Sequence, residues 1–364
     1  KAIAFHNYIG TNNNFRFVIA SSDRTLAAQV TYSTGSGPHS VVAADVNGDS
    51  KLDIIVANSG SRNVGVLLNN GNGTFAIQIT YSTGSVPISV GAADVNGDNN
   101  PDIIVANQAS NTVSVLLNNG NGTFATQVIY STGSSPYSMV VADVNRDSKL
   151  DIIVANLVSN NVGVLLNNGN GTFATQVTYS AGNYPISVAA ADVNGDSKLD
   201  IIVVNANSRN VGVFLNNDNG TFATQVVYST GSAPYSVVAA DVNGDTKLDI
   251  IVANYVSNNV GVLLNNGDGT FATQVTYSTG NYPISVTVAD VNGDSKLDII
   301  VANSGSDNVG VLLNNGNSTF ATQVTYSTGS LPYYVAAADV NEDRKLDIIV
   351  ANSGSNNVSV LLAV

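Results

Sequence analysis

The chain has 364 residues, 44% of them hydrophobic, a formal net charge of −13 and no cysteine. This is ample material for a core, and a disulfide framework is excluded. The 13 Lys and Arg are scattered without a basic stripe to suit nucleic acid, and no apolar run is long enough to insert in a membrane as a helix.

At Lys1 the chain opens without an apolar leader, so any export signal is expected to have been removed or to lie outside this sequence. Residues 15–19 (FRFVI) align with the third strand of a unit met further on. Residues 1–24 are therefore expected to be an extension or a decayed partial repeat. Residues 25–364 follow a period of 49 residues, which signals stacked supersecondary units in place of the two or three domains that length alone suggests.

In chain order, residues 25–34 (TLAAQVTYST) match 74–83 (TFAIQITYST) one period on. The first full unit opens with residues 39–46 (HSVVAADV), an Ala-rich strand suited to a crowded axis. An acidic loop follows, then 53–58 (DIIVAN), apolar on both faces as in a strand covered on both sides. Residues 63–69 form a third strand and 70–73 a turn. Residues 74–83 alternate, with Phe75, Ile77, Ile79 and Tyr81 on one face. No segment has helical periodicity, and the connections are Gly/Asn/Ser/Pro clusters of hairpin length. Four antiparallel strands per unit, repeated radially, predict an all-β, seven-bladed β-propeller. The chain ends on a third strand at 358–364, and residues 25–34 would supply the missing fourth, closing the ring and removing its free edges.

The acidic loop carries the most specific chemistry. The nonapeptide DVNGDSKLD or a close variant begins at Asp45, Asp94, Asp143, Asp192, Asp241, Asp290 and Asp339. Its third position is Asn47, Asn96, Asn145, Asn194, Asn243, Asn292 and Asn341. The fifth is Asp49, Asp98, Asp147, Asp196, Asp245, Asp294 and Asp343. The ninth is Asp53, Asp102, Asp151, Asp200, Asp249, Asp298 and Asp347. The main-chain carbonyl at position 7 (Lys51, Asn100, Lys149, Lys198, Lys247, Lys296 and Lys345) offers a further oxygen. Ca²⁺ takes six to eight oxygens in flexible geometry, and three carboxylates within nine residues repel unless a cation lies between them. One structural Ca²⁺ per blade, about seven in all, is expected. An Asx-rich hairpin turn is the alternative. The aspartates of these loops are 21 of the 26 acidic residues, and seven Ca²⁺ would carry the charge from −13 to +1. Five copies have Gly at position 4; Arg146 and Glu342 replace it in the third and seventh, where weaker sites are expected.

These loops, each followed by a DIIVAN-like strand, resemble FG-GAP/VCBS repeats, the blades of integrin α-subunit propellers. The resemblance covers residues 25–364, although the literal Phe-Gly and Gly-Ala-Pro elements are missing, which makes the VCBS-type subgroup the closer match. It implies a seven-bladed propeller with Ca²⁺ between strands one and two of each blade, an extracellular setting, and a role in adhesion or recognition. Seven-bladed fungal lectins are similar in outline, but no motif here matches their sugar-binding residues.

Variation among the repeats gathers in the loops between strands two and three and between strand four and the next blade, all on one face. Binding residues favour such loops on a rigid scaffold. His39, Tyr137, Tyr184, Tyr235, Tyr255, Tyr282, Tyr333 and Tyr334 are the candidates, the tyrosines as an aromatic rim; packing between blades is the alternative. With two His and no Cys, catalysis is not expected, and His39 is taken as an exposed loop residue. The expected function is a non-enzymatic, calcium-stabilised recognition module for a glycan or an extracellular protein, with a spacer domain and an enzyme accessory domain as alternatives. A monomer is the expected state. Sequons at Asn72, Asn121, Asn170, Asn219, Asn317 and Asn357 could carry glycans, or be good hairpin turns and nothing more.

Overall fold

The computed structural model describes residues 26–364, so the expected boundary at residues 24–25 and the strand match of residues 15–19 lie outside the described residues. The described chain forms seven four-stranded antiparallel sheets arranged as the blades of a propeller. Blade 1 comprises Pro38–Ala44, Asp53–Asn58, Asn63–Leu67 and Ile79–Ser82. Blade 7 comprises Pro332–Ala338, Asp347–Asn352 and Asn357–Leu361, and takes Val30–Ser33 as its outer strand. The closing strand pairs Tyr32 with Val358 as Tyr81 pairs with Val64 in blade 1, so closure keeps the register of an ordinary blade. A single 3₁₀ turn, Gln108–Ser110, is the sole helical element among the described residues.

Each DIIVAN strand is buried throughout because neighbouring blades cover both its faces. Ile55 and Ala57 of blade 1 pack with Ile103 and Val105 of blade 2, while Ile54 and Val56 face Ile349 and Ala351 of blade 7. Small residues such as Ala43 and Ala44 on the first strand let seven strands crowd round the axis.

The outer strand corrects one expectation. Phe75 is buried and makes an isolated bridge with Asn69, but the ladder restarts only at Ile79. Ile77 is 93% exposed and Ile79 50%, so they do not share a face with Phe75. The outermost strand is paired on one side only, and between the bridge and the ladder the alternation has no partner to fix it. Phe75 instead meets the next ring round the propeller: Tyr32 stands edge-on to it at 5.2 Å and donates a hydrogen bond to the Gly73 carbonyl. The seam repeats at Tyr81–Phe124, Tyr130–Phe173, Tyr179–Phe222, Tyr228–Phe271 and Tyr277–Phe320.

A second device joins the acidic loops. Asn118 Nδ2 donates to the Val46 carbonyl in the loop of blade 1 and to the Pro101 carbonyl in its own. Equivalent bonds start from Asn69, Asn167, Asn216, Asn265 and Asn314. At the corresponding place in blade 7 stands Ala363.

Candidate functional site

The acidic loops line one face, between strands one and two of every blade. Asp45 organises the first of them: its Oδ1 accepts the amides of Gly48 and Asp49 at 2.8 and 3.2 Å, and its Oδ2 that of Ser50 at 2.8 Å. Asn47 accepts from the Asp49 amide and Asp49 from the Lys51 amide, both at 3.0 Å. Asp53 is fully buried and ties the loop to the sheet, accepting the amides of Val46 and Asn69 at 3.0 and 2.8 Å. Its carboxyl is pushed up to about 6, chiefly by burial and in part by the charges of Asp49 and Asp45, while the two amides oppose the rise. Asp102, Asp151, Asp200, Asp249, Asp298 and Asp347 are pushed to about 6 for the same reasons.

Arg146 and Glu342 hold position 4 at φ 63° and 64°, the left-handed region that Gly48 occupies at 76°. The position-4 amide bond of the five glycine loops is missing from both among the described residues.

Among the described residues no three His, Cys, Asp or Glu side chains form a group able to hold a metal by themselves. The loop's donor set is mixed: carboxylates, the Asn47 amide oxygen and a main-chain carbonyl, all hard oxygens of the kind Ca²⁺ takes. Its charge is largely uncompensated. In five loops the position-7 lysine amine lies 3.3–3.9 Å from the position-5 carboxylate, and it is the single cation the loop supplies except in the third, which also carries Arg146. A set of hard oxygens in which two carboxylates raise the proton affinity of a buried third fits a divalent cation.

The opposite face holds the sequence-predicted ligand residues, and the structure divides them. In every blade the first strand bulges between its proline and the residue two on, as between Pro38 and Ser40. The skipped residue turns to the axis. His39, Tyr137, Tyr235 and Tyr333 alternate there with Ile88, Ile186 and Ile284, at the mouth of a cavity of about 400 Å³ counted with its open mouth. Tyr137, Tyr235 and Tyr333 are thus not a rim. Their hydroxyls meet in a closed triangle, 2.6 Å from Tyr137 to Tyr235 and 3.0 Å from Tyr235 to Tyr333, with Tyr137 and Tyr333 also bonded. Burial raises the Tyr137 and Tyr333 hydroxyls far above the ordinary phenol range, so they remain neutral.

Beneath the triangle, serines latch blade to blade: Ser40 Oγ accepts the Val90 amide at 3.2 Å, and Ser89, Ser138, Ser187, Ser236 and Ser285 make the same bond. Tyr334 occupies the seventh serine position, so it too belongs to the axis and not to a rim; burial raises its hydroxyl.

His39 is not an exposed loop residue either. Its ring lies 4.0 Å from that of Tyr333, and burial lowers its pKa below 6.5. Nδ1 faces the Gly37 carbonyl at 3.1 Å and Ser59 Oγ at 2.8 Å, while Ser59 Oγ reaches the same carbonyl at 2.9 Å. A carbonyl can only accept, so the consistent assignment puts the proton on Nδ1 and sends the serine hydrogen to Gly37.

Tyr184, Tyr255 and Tyr282 do stay on the loop face. Tyr184 and Tyr282 are 44% and 47% exposed. Tyr255 stacks on Tyr282 at 4.8 Å and packs against Tyr235 at 5.4 Å, which carries an aromatic run from rim to axis. Tyr184 and Tyr282 stand at φ 59° and 55°, a conformation that costs a bulky side chain about 1–2 kcal/mol. The position relative to proline separates the two sets: tyrosines after it face the axis, tyrosines before it face solvent. That signal was present in the sequence.

A model of the FG-GAP-like repeat matches residues 45–105, 94–154, 149–203, 194–252, 241–301 and 290–350, most of the chain. The chain belongs to the FG-GAP-like repeat family. Comparison with curated proteins gives no match. Among solved structures, an Agrocybe aegerita lectin that recognises non-reducing terminal N-acetylglucosamine is similar, with a TM-score of 0.60 and 23% identity over 85% of this chain and 92% of that one. Virginiamycin B lyase from Staphylococcus aureus gives 0.66 and 13% over 94% and 100%. A putative 6-phosphogluconolactonase from Bacteroides fragilis gives 0.65 and 13% over 84% and 88%. At these identities the likeness is one of fold.

Proposed function

We propose that this FG-GAP-like propeller is a non-enzymatic, calcium-stabilised extracellular recognition module that binds a glycan or a protein through the loops opposite its acidic face. The observation that carries this reading is a set of exposed apolar side chains at the positions of those loops where the repeats differ, above a scaffold that hardly varies. Val158, Tyr184, Val256, Tyr282 and Leu331 are each 44–56% exposed there. Large exposed side chains on loops of a rigid frame favour contact with a partner.

The acidic loops serve stability in this account. In each, the position 1, 5 and 9 aspartates, the position-3 asparagine and the position-7 carbonyl would hold Ca²⁺, which supplies charge neutralisation and no reactive centre. The carboxylates keep the amide bonds that wind the loop, and the buried position-9 aspartate passes the order of the loop to the sheet. The axial cavity is lined by tyrosines, isoleucines, serines and one histidine. Its one histidine spends Nδ1–H on Ser59 and Gly37, so it does not activate that serine.

A glycan array of the calcium-loaded protein, run beside capture of extracellular proteins, tests the reading. Reproducible binding to one sugar class or one protein is expected. A blank result from both would overturn it in favour of a spacer.

A further inference from the structure

Two of the seven blade boundaries differ from the other five in the same three places. Where blade 3 meets blade 4, the chain has Val158, Asn183 and Tyr184; where blade 5 meets blade 6, it has Val256, Asn281 and Tyr282. The valine position is Gly60, Ala109, Asn207, Gly305 and Gly354 elsewhere. The asparagine position is serine in all five other copies, and the tyrosine position is Gly37, Val86, Ser135, Ala233 and Leu331. The two sets lie 98 residues apart, two blades round the ring.

The structure makes each set one surface. The Tyr184 amide donates to Asn160 Oδ1 in the loop that bears Val158, and the Tyr282 amide donates to Asn258 Oδ1 in the loop that bears Val256. All six side chains are exposed. Neither Asn183 nor Asn281 has a partner for its side-chain amide among the described residues, although both main chains are fixed by Ser208 and Ser306. The tyrosines stand in left-handed backbone, where glycine would sit at lower cost, and about half of each side chain faces solvent. Backbone preference therefore explains neither tyrosine; Tyr282 stacks on Tyr255 and lies against Gly305, whereas Tyr184 has no aromatic partner among the described residues, and the same choice is made twice together with its two neighbours.

We propose that these boundaries are twin subsites for a neutral carbohydrate with repeating pyranose units, a proposal that rests on the recognition function above. A phenol ring offers a flat face to the axial C–H groups of a pyranose. The adjacent amide carries two donors and an acceptor for a vicinal hydroxyl pair, and the valine borders the contact. No charged side chain belongs to either set, which disfavours acidic sugars, phosphates and basic peptides. A protein partner of ordinary affinity needs a contiguous interface of about 800 Å² per partner. Here two small patches, alike in these three residues, are separated by a boundary that carries Ala206, Asn207 and Ala233. Two equal sites on one rigid ring suit a polymer that offers the same unit twice, with avidity of roughly 10²–10⁴ over either site alone.

The test uses the full chain with calcium, beads coated with cellulose, chitin or mannan, and the soluble hexaoses of each as competitors. The variants are Tyr184→Gly, Tyr282→Gly and the double variant, with thermal melting recorded for all. The proposal expects binding to one of the three polymers, at least a 10-fold loss for each single variant and abolition by both together. It also expects Tyr184→Gly to leave the melting temperature unchanged or raised, since glycine suits φ 59°. A merely structural tyrosine would lower the melting temperature. Equal binding by the double variant would overturn the twin subsites while leaving glycan recognition standing. Failure of the unmodified chain to bind any of the three polymers would overturn the carbohydrate assignment, and a protein found by capture would then keep the broader reading alive.

Discussion

Replacing Asn265 by alanine isolates the cross-link between neighbouring acidic loops. Its Nδ2 donates to the Val193 carbonyl in the loop of blade 4 at 2.8 Å and to the Leu248 carbonyl in its own loop at 2.9 Å. Its Oδ1 accepts the Gly267 amide at 2.7 Å, and the residue is 5% exposed. Truncation leaves two buried carbonyls short of a donor, each worth about 1–3 kcal/mol, so the expected loss is about 3 kcal/mol. For a domain of this size that is a fall in melting temperature on the order of 4 °C. The Asn265 amide bond to Asp249, at 2.9 Å, does not depend on the side chain and should survive. Urea unfolding at fixed calcium reads the loss, and hydrogen exchange should place it in the loops of blades 4 and 5. Asn265→Asp should cost at least as much, because an acceptor then faces two carbonyls. The converse change is Ala363→Asn. Ala363 keeps the main-chain bond to Asp347 at 2.9 Å but lacks the clasp, and Val291 opposite is 8% exposed against 2% for Val193. A seventh clasp should add about 1 kcal/mol. A loss below about 0.5 kcal/mol for Asn265→Ala would refute the argument that these carbonyls depend on the asparagine.

Phe124→Ala should destabilise by about 3–5 kcal/mol, because the ring is 8% exposed and packs edge-on with Tyr81 across the seam between blades 1 and 2. A change below about 0.5 kcal/mol, the range of a surface substitution, would mean that the seam relaxes round the gap. The imidazole of His39, assigned by comparison with His39→Gln, should titrate below 6.5 in an NMR pH series, since burial disfavours its cation. A midpoint at or above 6.5 would place the ring in solvent and contradict the axial position.

The 49-residue period was enough to read the fold, the blade count and the closing strand, because strand number, loop length and buried second strands all repeat in register. The DIIVAN segments match the observed strands to the residue. The outer strand was harder: alternation at Phe75, Ile77, Ile79 and Tyr81 is real in the sequence, yet no neighbour enforces it beyond the single bridge of Phe75. The axial cluster was hidden for a different reason. A bulge after each proline turns one residue toward the axis, and three tyrosines from alternate blades meet only when the ring closes, 98 and 196 residues apart. Tyr184 and Tyr282 were legible as loop residues, but their strained backbone was not.

The central claim is that the acidic loops hold the propeller together through calcium. Melting of metal-stripped protein across a calcium titration, with magnesium as the control, tests it most directly. The account predicts a rise of many degrees with calcium, saturating in the range of about 10⁻⁴–10⁻³ M or tighter, because binding that exists only in the folded state is folding energy. A melting curve indifferent to calcium in protein shown to be free of metal would contradict it, and would leave the seven loops as turns wound by their own aspartates.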